Sequence, residues 1–240
     1  LTQLAAGRIG TQTKTTVLCD NFAAAAGPFD ERRGYAAAPD FCKALTGLGW
    51  KQVSKDVSWQ DRAVMGVPLY PIYPEKLQAG MALYDANGIL MDQFRDPLHV
   101  YAAFEDIPPE FVHSLLFVEN KNLLGDHAAT LNPAIEWPRL LRATVGHVTG
   151  MGDGAGASTL ATQLEKFKHS PDGLTRNARQ KFQQMLTAST RPYEHGPDTQ
   201  ARSRAIALEY INGMPLSSVS TGEEIHGLAD GLDRWMGEGF

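Results

Sequence analysis

The chain has 240 residues, of which 43% are hydrophobic and 20% are charged, a composition typical of a globular protein and not of a disordered one. A formal net charge of -5 argues against general nucleic-acid binding, which needs a basic surface. No run of about 18 apolar residues occurs, so no transmembrane helix is predicted within the sequence.

The first third of the chain, residues 1–78, is rich in Ala, Gly, Pro and Thr and carries weak hydrophobic periodicity. We therefore expect an irregular α/β region there. One short helix is predicted in DFCKALTGLGW, capped by Asp40 and ended by Gly47 or Gly49. The prolines of PLYPIYPEK exclude a central strand and favour an extended linker.

Cys19 and Cys42 are the only cysteines of the chain. They could form one disulfide in an oxidising compartment, or they could be two unrelated thiols. Neither lies in a CxxC motif or a Cys/His cluster with metal-site spacing, so no zinc site is predicted.

A β-hairpin is predicted at 80–95, where two apolar runs in MALYDANGILMDQF flank Asn87 and Gly88. This pair suits the positive φ angles of a tight hairpin turn. The hairpin leads through HVYAAFEDIPP into a helix.

That helix is predicted in IPPEFVHSLLFVENKNLLG, where Pro109 suits the first helical position. Phe111, Leu115 and Glu119 fall at i, i+4 and i+8, so one carboxylate lies in line with the apolar stripe near the helix C-terminus. Partial burial and the negative end of the helix dipole both disfavour its charged form, which is how a general base or acid is prepared. Alternatively, Glu119 emerges at the edge of the stripe and is solvated there.

Beyond Gly125 the sequence predicts mainly helices. Asn132 can cap a helix that has Pro133 at its first position and that Pro138 kinks or restarts before RLLRATVGHV. Further helices are predicted at 159–168 and 174–189, from Asp198 to Gly213, and after a capping box at Thr221–Glu224. The apolar face of the last helix comprises Ile225, Leu228, Ala229, Leu232 and Trp235.

A Gly-rich loop, GMGDGAGAST, precedes the helix at 159–168 and offers backbone N–H groups to an anion. It lacks the Lys of a Walker A loop and does not match the dinucleotide-binding fingerprint. Six basic residues follow it, against two acidic ones: Lys166, Lys168, Arg176, Arg179, Lys181 and Arg191. They suggest an anionic ligand such as a phosphate or diphosphate, although a solvated helix face explains the charges equally well.

The order and spacing of these motifs resemble the peptidoglycan glycosyltransferases, glycosyltransferase family 51. IPPEFVHSLLFVEN is similar to the family's IPP-led helix, which ends in EDxxF with the catalytic Glu, here Glu119. GAGASTLATQLEKF resembles GGSTxTQQLxKN, ARQKF resembles RKxxE, ALEYINGMPL resembles ILxxYLN, and the last helix resembles GIxxAAxxYFG. The positions that match after Glu119 are Ser158, Thr159, Gln163, Lys166, Arg179, Tyr210, Asn212, Gly227, Leu228, Trp235 and Gly237.

Departures from the family pattern indicate a divergent branch. They are Asn120 for the Asp after the catalytic Glu, Lys121 for an Arg, Thr162 for the first Gln of TQQ, Phe167 for an Asn and Gln183 for the Glu of RKxxE. With Gln183 in place of the second family carboxylate, a divalent metal at the diphosphate is less expected, and no metal ligand is assigned.

The resemblance implies a mainly α fold: a lysozyme-like helical transglycosylase domain at 79–240 that includes the β-hairpin, follows the irregular region 1–78 and is cut short at Phe240. It implies polymerisation of lipid-linked disaccharide-peptide (lipid II) into glycan strands by inverting transfer, with Glu119 as general base. The implied substrate-binding residues are Lys121, Ser158, Thr159, Gln163, Lys166, Arg176 and Arg179.

The implied partners are the lipid-linked precursor, the nascent glycan, the membrane surface and a transpeptidase or other cell-wall synthesis protein. The implied location is the periplasmic or extracytoplasmic face of the bacterial inner membrane, with an anchor upstream of the first residue. Two alternatives stay open: a lysozyme-like enzyme that cleaves glycan, and an inactive domain that binds the precursor without turnover.

Overall fold

The computed structural model describes residues 27–49, 63–64, 66–70, 77–85, 87–125, 132–136, 158–193, 197–220, 222 and 224–237. The glycines of the Gly-rich loop, the helix predicted in RLLRATVGHV and Cys19 lie outside these residues. Cys42 lies within them and is disulfide-bonded. Of the two alternatives for the cysteines, the structure therefore has the disulfide.

Two helices precede the hairpin in the described residues: α1, Pro28–Arg32, and α2, Ala38–Gly47. The predicted end of α2 at Gly47 is confirmed, but the predicted cap at Asp40 is wrong, since Asp40 lies in the first turn. Pro39 explains the earlier start, because proline is favoured at the first helical positions.

Helix α1 packs this N-terminal part against the rest of the molecule. Phe29 is buried and lies so close to Gly213 that a Cβ there would collide with its ring. The backbone N–H of Gly27 donates to the carbonyl of Lys168 (2.5 Å). With five residues, α1 is too short to show the periodicity from which a helix can be predicted.

The hairpin predicted at 80–95 is confirmed as β3, Ala79–Tyr84, and β4, Leu90–Asp96. Its last pair joins Tyr84 to Leu90, so the loop is longer than a two-residue turn. The carboxylate of Asp85 organises this loop by accepting from the backbone N–H groups of Asn87 (2.9 Å) and Ile89 (2.7 Å). Upstream, β1 (Ala63–Val64) and β2 (Val67–Pro68) form another antiparallel pair.

The rest of the described chain is mainly helical, as predicted. The helices are α3 (Pro109–Glu119), α4 (Leu160–His169), α5 (Ala178–Thr190), α6 (Gln200–Gly213) and α7 (Leu228–Met236). Single 3-10 turns occur at Phe104–Asp106 and Arg191–Tyr193. None of the described helices combines the length and the apolar character needed to cross a membrane.

Helix α5 begins four residues later than predicted because Asn177 caps it. The side chain of Asn177 accepts from the backbone N–H of Gln180 (2.9 Å), which satisfies one of the free donors of the first turn. Helix α6 likewise begins at Gln200, two residues after the predicted Asp198.

The prediction for the last helix is wrong in its start and in part of its apolar face. Glu224 does not close a capping box: β6 (Glu224–His226) pairs with β5 (Pro215–Ser218), and α7 begins after Gly227. Gly227 has φ of 81° and leaves no room for a Cβ beside the carbonyl of Asn212, so it ends the strand and starts the helix. Trp235 is 58% exposed, and the buried face of α7 is formed by Leu228, Ala229 and Leu232.

One hydrophobic core joins α3, α4, α6 and α7. Its central side chains are at most 4% exposed and comprise Leu160, Ala161, Leu164, Ile206, Ala207, Ile211 and Ala229. Asn212 ties the chain after the hairpin to this core, since its side chain accepts from the N–H of Tyr101 (3.0 Å) and donates to the carbonyl of Tyr101 (2.9 Å). The core therefore holds the C-terminus of α3 beside α4 and α6.

Candidate active site

Glu119 is the last residue of α3 and is half-buried. The helix ends there because Asn120 adopts an extended backbone, with φ of -160°. The buried side chain of Asn120 donates to the carbonyl of Pro133 (3.2 Å), which fixes the turn after Glu119. Sequence pattern thus placed Glu119 correctly at the helix end.

The apolar face of α3 is narrower than the sequence pattern indicates. Val112 and Leu116 are buried, whereas Phe111 is 37%, Phe117 67% and Val118 70% exposed. Glu119 therefore lies where a buried stripe meets an exposed apolar surface. The ammonium group of Lys121 lies 4.3 Å from the centre of the Phe117 ring, so this surface also carries a positive charge.

Three helices meet in a hydrogen-bonded chain at Glu119. The side-chain N–H of Gln163, from α4, donates to Oε2 of Glu119 (3.0 Å). The hydroxyl of Tyr210, from α6, donates to Oε1 of Gln163 (3.1 Å). Burial, reinforced by the negative charge of Glu119, raises the pKa of the Tyr210 hydroxyl.

Two lysines from different helices, Lys166 of α4 and Lys181 of α5, form a cationic cluster. The ammonium group of Lys181, from α5, donates to the hydroxyl of Ser158 (2.5 Å). Burial lowers the pKa of Lys181, and the positive charge of Lys166 lowers it further. Within the part of the chain that the structure describes, neither lysine forms a salt bridge, so this cluster suits an anionic group.

Helix α4 contributes to both groups of side chains. Gln163 and Lys166 are three residues apart, so they occupy neighbouring positions on one helix face. Ser158 lies just before Thr159, the N-cap of the same helix. Of the residues predicted from the sequence, the structure therefore brings together Glu119 with Gln163, while Ser158 and Lys166 each lie near Lys181.

Thr159 was predicted to contact the substrate, but its side chain lies inside the protein. Its side chain is fully buried, and its hydroxyl donates to the carbonyl of Ala134 (3.1 Å). The N–H of Thr159 donates to the hydroxyl of Thr162 (2.8 Å), which completes the cap. The side chain of Thr159 is thus committed to the fold and is not accessible to a ligand in this structure.

Arg176 and Arg179 do not join either group in the described structure. Arg176 is exposed and forms a salt bridge with Asp172 (2.5 Å). Arg179 is exposed in the first turn of α5, and it makes no hydrogen bond or salt bridge with another described residue.

Sequence reasoning named Lys181 as one of six basic residues and Tyr210 as a motif position, but it did not assign either to the site. Helical spacing could have found Lys181, because it precedes the buried residues Gln184 and Ala188 by three and seven positions and so lies toward the inner face of α5. Tyr210 is harder to find, since only the fold brings α6 beside Glu119.

The described residues do not suggest a metal site. No three His, Cys, Asp or Glu side chains come together among them closely enough to hold a metal ion. The described partner of Glu119 is an amide, and Gln183 offers a neutral side chain. We therefore assign no metal ligand and derive no step through a metal.

A separate cleft of about 680 Å³ lies between the hairpin, β6 and α7. Salt bridges join its walls: Glu224 contacts His226 (3.0 Å) and Arg32 (3.6 Å). The carboxylate of Asp230 accepts from the N–H groups of Leu98 (2.8 Å) and His99 (2.7 Å). These contacts hold the hairpin to α7, and none of the lining residues belongs to the groups around Glu119.

Comparison with known proteins places these helices in one family. A family model described as a transglycosylase matches residues 87–239, a range that contains Glu119, Ser158, Gln163, Lys166 and Tyr210. Among curated proteins, none matches this chain.

Proposed function

The chain belongs to the transglycosylase family, of the glycosyltransferase 51 type, and from this premise we propose that it polymerises lipid II into glycan strands with Glu119 as general base. The observation that carries the proposal is the arrangement along α4. Gln163 of this helix donates to the carboxylate of Glu119. Lys166, three residues further along, lies near Lys181 of α5, so two ammonium groups are close to this part of the helix.

The reaction needs these two groups at once. Glu119 removes the proton from the hydroxyl of the acceptor sugar, and the hydroxyl oxygen forms a bond to the anomeric carbon of the donor. The bond from that carbon to the diphosphate breaks, and the lipid diphosphate leaves with the electron pair. Because attack and departure occur on opposite sides, the configuration at the anomeric carbon is inverted.

The cationic cluster supports the leaving group. Negative charge grows on the diphosphate oxygens in the transition state, where fixed cations are most effective. Lys166 and Lys181 supply two positive charges, and Ser158, oriented by Lys181, supplies a hydroxyl group. Arg179 and Lys121 are exposed and would contact the more distant parts of the substrate.

The surface beside Glu119 supports a substrate that carries a lipid. Phe117 and Val118 are exposed, and Lys121 adds a positive charge next to them. Apolar side chains flanked by a cation favour contact with a membrane surface or a lipid diphosphate. We accordingly place the reaction at the extracytoplasmic face of the bacterial inner membrane, where a transpeptidase would use the product. The disulfide at Cys42 fits an oxidising compartment.

The decisive experiment replaces the base. We expect Glu119→Gln to lower the rate of glycan polymerisation from lipid II at least about 100-fold, because general-base catalysis contributes roughly 100- to 10,000-fold. Glu110→Gln is the matched control, since Glu110 is exposed in the first turn of the same helix. Polymerisation by Glu119→Gln at the wild-type rate would remove Glu119 from the mechanism.

The same assay separates the alternatives. Cleavage of preformed glycan, without polymer from lipid II, would show a hydrolase. Tight binding of lipid II without any product would show an inactive precursor-binding domain. The cationic cluster favours transfer, because hydrolysis of glycan has no anionic leaving group for it to stabilise.

A further inference from the structure

The orientation of the Gln163 amide at Glu119 is matched by contacts on both of its sides. A Gln side chain can turn its amide over and present either its carbonyl or its N–H₂ group. Here the N–H₂ group donates to Oε2 of Glu119 (3.0 Å), and Oε1 of Gln163 accepts from the hydroxyl of Tyr210 (3.1 Å). A carboxylate only accepts hydrogen bonds, so this is the orientation that stabilises it.

We propose that Tyr210 is a positioning residue that acts through Gln163 to hold the carboxylate of Glu119 in place for proton transfer. The inference rests on the proposed function for its role in catalysis. Its structural part, the control of Glu119 by Tyr210 through the amide of Gln163, stands independently of which substrate is used.

The scaffold makes Tyr210 suited to this role. It lies on α6 between Glu209 and Ile211, both of which are buried, and it packs against the hydrophobic core. Its hydroxyl remains a donor at neutral pH, because burial and the charge of Glu119 raise its pKa. Helix α6 therefore holds the hydroxyl of Tyr210, a hydrogen-bond donor, next to Gln163.

The three residues come from three helices that are far apart in the chain. Gln163 is separated from Glu119 by 44 positions and from Tyr210 by 47. The fold therefore brings the three side chains together.

The test is Tyr210→Phe, which removes one hydroxyl and keeps the ring. We expect kcat for polymerisation to fall about tenfold with KM changed less than about twofold, since one hydrogen bond that supports a charged group is lost. Tyr193→Phe is the matched control, since Tyr193 is an exposed tyrosine in the 3-10 turn after α5.

A double-variant cycle tests whether Tyr210 acts through Gln163. If it does, the double variant Tyr210→Phe with Gln163→Leu has the same kcat as Gln163→Leu alone. If the two losses multiply, Tyr210 acts by another route and the proposal is overturned. Thermal unfolding of each variant distinguishes this result from a loss of folded protein.

A measurement without substrate separates this inference from the proposed function. The side-chain amide protons of Gln163, followed by ¹H–¹⁵N NMR, should exchange with solvent faster in Tyr210→Phe than in wild type, with Gln163→Leu used to assign the signal. An unchanged exchange rate overturns the inference even if polymerisation is observed. Faster exchange in a protein that makes no polymer supports the inference and contradicts the proposed function.

Discussion

Lys181 is a partly buried cation at the proposed site for the diphosphate. It is held against the hydroxyl of Ser158 and lies near Lys166 in a partly buried position. Both burial and the second ammonium group disfavour its charged form, and a bound anion reverses this effect. Binding of the anion therefore relieves an unfavourable arrangement that exists in the free protein.

We expect Lys181→Met to lower kcat/KM for lipid II by about 10- to 100-fold, which corresponds to the loss of one or two charge-assisted hydrogen bonds. Steady-state kinetics with wild type, Lys181→Met and the control Lys43→Met would measure the effect. Lys43 is exposed on α2 and provides a lysine of equal size away from the site. Equal kinetics for all three proteins would exclude Lys181 from the substrate site.

Thr159 shows what residue-level reasoning from the sequence could not reach. A threonine between a Gly-rich loop and a helix can cap the helix or bind an anion, and both uses leave the same local pattern. The structure decides between them through the carbonyl of Ala134, 25 positions earlier in the chain. Spacing within one motif carries no information about such a partner.

At the scale of the element, α4 has two faces with different tasks. The face with Gln163 and Lys166 serves the site, and the opposite face buries charges. Glu165 accepts from Arg191 (2.7 Å) and contacts His169 (3.3 Å), while Lys168 pairs with Glu209 of α6. Because these pairs lie inside the molecule, the position of α4 depends on all of them.

We expect Lys168→Met to lower the free energy of unfolding by about 3–5 kcal/mol, because it leaves the buried carboxylate of Glu209 without its closest cation. Urea denaturation at pH 7 would measure the change, again with Lys43→Met as control. A change below about 1 kcal/mol, typical of an exposed pair, would show that the buried pair does not stabilise the fold.

The buried pairs also predict how stability depends on pH. Burial opposes ionisation of Glu165, but Arg191 together with His169 more than offsets it and lowers the pKa of Glu165. Burial also opposes the ionisation of Glu209, but the positive charge of Lys168 more than offsets burial and lowers the pKa of Glu209. A lowered carboxyl pKa stabilises the fold above the ordinary value near about 4.5, and this stability is lost as pH falls below it. In Lys168→Met the loss should begin at higher pH, because Glu209 no longer has that cation.

The elements that were predicted well are those with long periodic patterns. Helices α3, α4 and α6 and the hairpin show such patterns over seven or more residues and lie close to the predicted ranges. The capping box predicted before α7 is wrong. Its residues match the local pattern of a helix start, but Glu224 lies in β6, which pairs with β5. Pairing between strands is a tertiary contact, and it overrode the local preference.

At the scale of the whole molecule, one carboxylate holds the hairpin to the C-terminal helix. Asp230 of α7 accepts from the N–H groups of Leu98 and His99 and from the ring of His99 (3.1 Å). The hairpin itself exposes most of the side chains of β4, so it has little core of its own. Its placement therefore depends on this attachment at its base.

We expect Asp230→Asn to lower the free energy of unfolding by about 1–3 kcal/mol, because two charge-assisted hydrogen bonds become weaker. Hydrogen exchange at the amides of Leu98 and His99 should become faster, and urea denaturation would measure the change in stability. Asp40→Asn is the control, since Asp40 is exposed on α2. Unchanged protection of the two amides would show that Asp230 does not anchor the hairpin.

The attachment of the hairpin also imposes an order on synthesis. The amides of Leu98 and His99 precede Asp230 by 132 and 131 positions, so on the ribosome the hairpin emerges on the order of ten seconds before its anchor. An isolated two-stranded hairpin is marginally stable, and this one exposes Met91 and Phe94. The nascent chain therefore exposes an apolar strand until α7 has been synthesised and can bind the base of the hairpin. We expect a chaperone to bind the hairpin during this interval.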